Sequence, residues 1–292
     1  QPEQGVEIEE THSDYTGQGV SCFGDNDGFI DVTVTGGAGG YIYEWSAVDP
    51  NGQTITVPVN TDGDITGLVA GTYTLIATDS NGCSNTEIVE ITQNEELTAS
   101  ETASDFTGQG ISCFGEDDGS INLETNGGTG VYEYAWSAVD PDGQTITVPA
   151  ADANGNITGL VAGTYSVVVS DENGCEFPIE IEITQNEELT AQYTTSEYGI
   201  YQISCRNEND GSIELTPTGG TGIYFYQWSA VDVEGQSIDL TQDTPTQSDL
   251  IAGTYSVVVS DENGCEFPIE IVMTQPEQGV EIEETHSDYT GQ

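Results

Sequence analysis

Apolar and polar positions alternate most plainly over residues 162–181, AGTYSVVVSDENGCEFPIEI, a stretch that returns unchanged at 252–271 and more loosely from Ala70 as AGTYTLIATDSNGC. Residues 164–170 are dominated by β-branched and aromatic side chains, and Asn173-Gly174 tolerates the positive φ of a tight turn. Ile179, Ile181 and Ile183 then alternate with Glu180 and Glu182. The pattern predicts strand, turn, strand, with one face buried. Ahead of each copy stands L-x-x-G-x-Y: Leu68, Gly71 and Tyr73; Leu160, Gly163 and Tyr165; Leu250, Gly253 and Tyr255. That spacing suits a tyrosine corner, in which the phenol bonds back to the backbone just upstream and pins a crossover between two sheets.

The same period of two marks other strands. Residues 5–10 (GVEIEE) should form a first strand, with 97–100 and 189–192 in its place later in the chain. Residues 29–34, 120–123 and 212–215 should form a second, ended by the glycine clusters at 36–40, 127–130 and 219–222. No helix signal or lysine follows those glycines, so they read as turns and not as phosphate loops. Next come Tyr41, Tyr43 and Trp45, then Tyr132, Tyr134 and Trp136, then Tyr224, Tyr226 and Trp228. Each trio lies on one face of a strand. Packing into a sandwich core is the preferred reading, and a sugar-stacking platform is the functional alternative. A short strand such as 54–57 lies between two turns in the least uniform region, where a private binding surface would sit.

The first cysteines, Cys22, Cys113 and Cys205, are 91 and 92 residues apart, and the second, Cys83, Cys175 and Cys265, are 92 and 90 apart. Three domains follow: 1–93, 94–185 and 186–274. All are expected to be all-β, a tandem array of three immunoglobulin-like β-sandwiches. Residues 275–292 repeat 1–18 letter for letter at an offset of 274, so they should begin a further repeat, and the chain reads as an excerpt of a longer array. Ile91-Thr92-Gln93 runs into Asn94-Glu95-Glu96 with no flexible spacer, and 183–188 does likewise. Short junctions favour a stiff rod over beads on a string.

Charge narrows the partners. The chain has 52 acidic residues and one basic residue, Arg206, for a net charge of −51. Nucleic acid and anionic lipid surfaces would be repelled, and without lysine no lysine–asparagine isopeptide bond can form. No apolar run approaches the ~18 residues of a membrane span, so no membrane insertion is expected. His12 and His286 occupy the same place in the duplicated segment, which leaves nothing for a catalytic triad, and no enzyme is expected.

Six cysteines without a C-x-x-C point to structural disulfides in an oxidising, extracellular setting. Two pairings respect the repeat: within a domain, as in Cys22 with Cys83, or between neighbours, as in Cys22 with Cys175 and Cys113 with Cys265. In ordinary immunoglobulin-like strand directions the two turns lie at opposite ends, which allows a lengthwise staple. The local bridge is preferred, because residues 11–28 are long enough to double back. Asp25 and Asp27, Glu116 and Asp118, and Glu208 and Asp210 cluster ahead of the second strand and are the calcium candidates. They lack an EF-hand's ligand ladder, and turns need such residues anyway. No other cofactor is expected.

The order [VI]-S-C-x-x-[DE]-x-D-G-x-I, G-G-x-G-x-Y-x-Y-x-W-S, L-x-A-G-T-Y and D-x-N-G-C, followed by I-T-Q or M-T-Q, resembles the SprB repeat in all three domains. The third copy departs with Arg206-Asn207 in place of Phe23-Gly24 and Phe114-Gly115. The resemblance implies a very large bacterial cell-surface protein of gliding and other Bacteroidetes, exported by type IX secretion, with a role in surface adhesion or motility. A segment of this kind would be a disulfide-reinforced stalk or filament. Its partners would be neighbouring repeats and other copies of the filament, with a surface or glycan engaged by regions outside the chain. Two alternatives are a multivalent carbohydrate-binding array and a calcium-rigidified surface array.

Overall fold

The computed structural model describes residues 5–58, 61–240 and 243–278. The further repeat expected from 275 onward lies mostly outside these. Among the described residues there are strands and no helix, as the period-two pattern requires. The first seven strands are β1 (Glu7–His12), β2 (Gly28–Thr35), β3 (Ile42–Val48), β4 (Thr54–Ile55), β5 (Ile65–Leu68), β6 (Gly71–Thr78) and β7 (Ser84–Ile91). The middle seven are β8 (Thr98–Ala103), β9 (Gly119–Asn126), β10 (Glu133–Val139), β11 (Thr145–Ile146), β12 (Ile157–Leu160), β13 (Gly163–Ser170) and β14 (Glu176–Ile183). The last seven are β15 (Thr190–Thr195), β16 (Gly211–Thr218), β17 (Tyr224–Asp232), β18 (Ser237–Ile238), β19 (Thr246–Leu250), β20 (Gly253–Asp261) and β21 (Glu266–Met273).

Each set of seven divides into a three-stranded sheet, such as β1-β2-β5, and a four-stranded sheet, such as β4-β3-β6-β7. The first, second and fifth strands share one sheet and the third, fourth, sixth and seventh the other, the strand arrangement of an immunoglobulin-like sandwich, three times in tandem. The register also recurs: Trp45 faces Leu75 and Ala47 faces Tyr73, while Trp228 faces Val257 and Ala230 faces Tyr255. By packing, the chain falls into two compact units. One is Gln1–Ala103 with Ser120–Thr158 and Gly163–Glu182; the other is Ser104–Gly119 with Gly159–Ala162 and Ile183–Gln292. The units cut across the sequence repeats.

The first core draws on both sheets, with Ile30, Ile65 and Leu68 from one and Ala47, Tyr73, Val89 and Ile91 from the other. Ile213, Leu215, Tyr255, Val257 and Ile271 do the same in the last repeat. The largest side chain wholly out of water in each repeat is the corner tyrosine, Tyr73, Tyr165 or Tyr255, and not the tryptophan. Tyr73 Oη donates to Val69 O at 2.9 Å, and Tyr255 Oη donates to Ile251 O at 2.9 Å. A buried phenol must keep such a partner, because an orphaned hydroxyl would cost about 1–3 kcal/mol. Trp45 packs half-buried on the edge of its core, and its Nε1 donates to Gly63 O at 2.9 Å. Trp136 and Trp228 donate in the same way to Gly155 O and Thr244 O. The indole closes the rim of the sandwich, and the tyrosine fills its centre.

Candidate functional site

The site is built from a hairpin turn and a loop. In the turn after β13, Asp171 is buried at 6% exposure, and its Oδ1 accepts from Asn173 N at 3.0 Å and Cys175 N at 2.9 Å. Its Oδ2 accepts from Thr129 N at 2.8 Å, which ties the hairpin to the glycine-rich turn after β9. Three backbone donors hold the carboxylate, a charge-assisted arrangement that stiffens whatever the turn carries. A Cβ on Gly128, where φ is +63°, would come within 2.9 Å of that Oδ2, so the second glycine of the cluster is required. Asp79 and Asp261 do the same in their repeats. The Ala38 N–H and then the Cys83 N–H hold the Asp79 carboxyl below its usual range.

The loop precedes β2. Tyr15 and Gln18 close a tight turn, Tyr15 N donating to Gln18 O at 2.7 Å, with Thr16 at φ 51° and Gly17 at φ 90°. Left-handed backbone is costly for a β-branched residue, on the order of 1–3 kcal/mol. Ser21 N donates to Asp27 Oδ1 at 3.1 Å and Ser21 Oγ to Asp25 Oδ2 at 3.0 Å, shaping the segment that holds Cys22. Burial pushes the Asp27 carboxyl up, but the bonds from Ser21 outweigh it and leave the group below its usual range. From the end of the same repeat, Gln93 Oε1 accepts Gly24 N at 2.9 Å, and Thr92 O accepts Gly19 N and Val20 N.

Turn and loop meet across repeats. Cys22 is bonded to Cys175, with Cα atoms 5.6 Å apart and a sequence separation of 153, and Cys113 is bonded to Cys265 at a separation of 152. The preferred local bridge is therefore corrected. Residues 11–28 do not double back to Cys83, because the serine–aspartate bonds and the clamp from residues 92 and 93 aim the loop at the next repeat. Each of the two packing units contains one bonded cysteine pair. Cys83 and Cys205, expected in disulfides, are exposed free thiols.

Around the first bridge, Asn173 Nδ2 donates to Ser21 O at 3.1 Å and Tyr15 O at 3.3 Å, and Thr16 Oγ1 donates to Asn173 Oδ1. The second bridge repeats the set, with Asn263 Nδ2 on Ser112 O at 3.0 Å and Phe106 O at 3.4 Å, and Thr107 Oγ1 on Asn263 Oδ1 at 3.0 Å. The linker contributes too: Gly128 N donates to Glu95 O at 3.0 Å, and Asn94 Nδ2 donates to Thr129 Oγ1. Asn173, whose place in D-x-N-G-C predicts only a tight turn, also bonds across repeats, and that motif is the one sequence signal of the contact.

Of the calcium candidates, Asp27, Asp118 and Asp210 each accept a serine backbone N–H, from Ser21, Ser112 and Ser204. Asp25 takes a serine hydroxyl. Glu116 N and Glu208 N donate to the carbonyls of Cys113 and Cys205. Among the described residues no group of three or more His, Cys, Asp or Glu side chains is gathered as metal ligands.

The SprB repeat family matches residues 18–50, 109–141 and 200–233. The chain carries three SprB repeats. Each matched stretch runs from the end of the cysteine loop's tight turn to the aromatic strand, so Ser21 and Cys22 lie inside the match while Tyr15, Thr16 and the hairpin of Cys175 lie outside it. No curated protein matches the chain. Among solved structures, it is similar to a 1.5-MDa bacterial ice-binding adhesin described for host cell surface retention, at 16% identity and TM-score 0.44, over 93% of this chain and 98% of that one. It is also similar to a Ca2+-stabilized adhesin of an Antarctic bacterium, at 18% identity and TM-score 0.36, over 93% and 74%. A tetra-tandem repeat from the extending region of a large adhesion protein matches at 16% identity and TM-score 0.32, over 93% and 75%.

Proposed function

We propose that this chain is a load-bearing stalk segment of a secreted bacterial cell-surface adhesin, its repeats taken as 1–93, 94–185 and 186–274, each locked covalently to the next. The SprB repeats support the adhesin reading, and the Cys22–Cys175 and Cys113–Cys265 bonds carry the mechanical one. A bond closed inside one repeat would protect that repeat and leave the joint free. A bond from loop to neighbouring hairpin ties the joint itself. The half-buried tryptophans, each held by an indole hydrogen bond, count against a sugar-stacking array. Export by type IX secretion and service in adhesion or gliding complete the reading.

The stalk reading predicts short reach under load. With both bonds intact, the taut covalent path from Cys22 to Cys265 runs along the 62 positions that separate Cys113 from Cys175, against 243 when reduced. At about 3.4 Å per residue, pulling the oxidised chain by its ends should stop roughly 600 Å short of the reduced chain. Equal contour lengths with and without reductant would contradict it.

A further inference from the structure

The two unbonded cysteines are unlike halves of one junction. Cys83 ends a hairpin turn, as Cys175 and Cys265 do, and Cys205 sits in a loop, as Cys22 and Cys113 do. Both halves are already in the bonded shape. Asp79 Oδ1 accepts Asn81 N and Cys83 N at 2.9 Å each, the fixture that Asp171 supplies for Cys175. In the third loop, Ser204 N donates to Asp210 Oδ1 at 3.1 Å and Tyr198 N to Tyr201 O at 2.7 Å, matching the loops of Cys22 and Cys113. Asn81 stands where Asn173 and Asn263 reach across. Tyr198 O and Ser204 O stand where those asparagines bond.

Spacing points to the occupant. The duplicated segment sets a period of 274, and Cys83 advanced by one period falls 152 residues beyond Cys205, the separation of Cys113 from Cys265. Arg206 neighbours Cys205, where the other two loops have Phe23 and Phe114, and the Cys83 hairpin has Ser80 and Ser84 where the bonded hairpins carry glutamates. One contact is weaker than in the internal junctions: Gly199 replaces Thr16 and Thr107, so the hydroxyl bond to the asparagine is missing.

We propose that Cys205 of one copy of this three-repeat unit bonds Cys83 of a second copy, extending the array head to tail. The inference rests on the neighbour-locking reading above. The two thiols give up two protons and two electrons to a disulfide oxidant: with oxidised glutathione, one sulfur–sulfur bond breaks, one forms between Cys205 and Cys83, and two reduced glutathiones leave.

The test uses the purified 292-residue chain with oxidised glutathione, run without reductant. A ladder of multimers is expected, with Cys83→Ser alone or Cys205→Ser alone stopping it. Mixing those two variants should give a dimer, favoured about tenfold over either variant's dimer with itself. Glutamate-specific cleavage of that dimer should join residues 198–208 to 45–87. Self-pairing at equal yield, or no multimer while the Cys22–Cys175 bond is intact, overturns this inference alone. Absence of the Cys22–Cys175 bond would instead overturn the reading beneath it.

Discussion

Thr16 Oγ1 donates a hydrogen bond to Asn173 Oδ1 across 157 positions of sequence, and Thr107 with Asn263 repeats it across 156. Asn173 also uses its amide on two carbonyls of the preceding repeat. Replacing it with alanine removes these bonds but leaves the disulfide. Asn173→Ala should lower unfolding free energy by about 1–3 kcal/mol in a denaturant titration of the oxidised chain. Thr16→Gly should cost less, since it loses one bond while relieving a left-handed β-branched residue.

Asp171 is the support behind that asparagine. Asp171→Ala strands three backbone donors, so a loss of about 2–4 kcal/mol is expected, with faster reduction of the Cys22–Cys175 bond as a local readout. Asp171→Asn, which keeps acceptor capacity at one oxygen only, should fall between.

Acid should weaken the turn and loop before the cores. The backbone N–H donors of Ala38 and Cys83 hold Asp79 low, and the hydroxyl and then the N–H of Ser204 hold Asp210 low. A carboxyl whose folded pKa is depressed stabilises fully above its unfolded value, near pH 4, and loses that contribution as pH falls through the lower folded value. Melting temperature should therefore be flat from neutral pH to about 5 and fall below about 4. An Asp79→Asn chain should fall less over that window.

The corner tyrosines set the alkaline limit. Burial raises the pKa of Tyr73 and Tyr255. A raised folded value means their contribution is complete below the unfolded value of about 10 and is lost as pH climbs through the folded one. Tyr73→Phe should cost about 1 kcal/mol at neutral pH, the net value of one hydrogen bond, and should soften the alkaline transition. A denaturant titration at neutral pH reads the first, and near-ultraviolet absorbance during a base titration reads the second.

Much of the architecture was written in period-two alternation. The hairpin expected over 162–181 appears as β13 and β14, and the first strand lies two residues later than the expected 5–10. Residue spacing identified the corner tyrosine, because its geometry is local to L-x-x-G-x-Y. The cysteine partner was not legible. Pairing depends on which way an eighteen-residue loop points, and that direction is fixed by Asp27 on Ser21 and Gln93 on Gly24, bonds that join residues six and 69 apart. The rank of tryptophan against tyrosine in the core was hidden for a similar reason: both alternate inward, and only the rim position of the Gly63 carbonyl holds the indole back.

The central claim is that loops bond to neighbouring hairpins, and a disulfide map of the unreduced chain tests it most directly. After denaturation and cleavage at glutamate, the Cys22 peptide is 11–44, the Cys83 peptide is 45–87, and the Cys175 peptide is the tetrapeptide 173–176. The account predicts 11–44 joined to a tetrapeptide N-G-C-E, with 45–87 carrying a free thiol. Peptide 11–44 joined to 45–87 would contradict it.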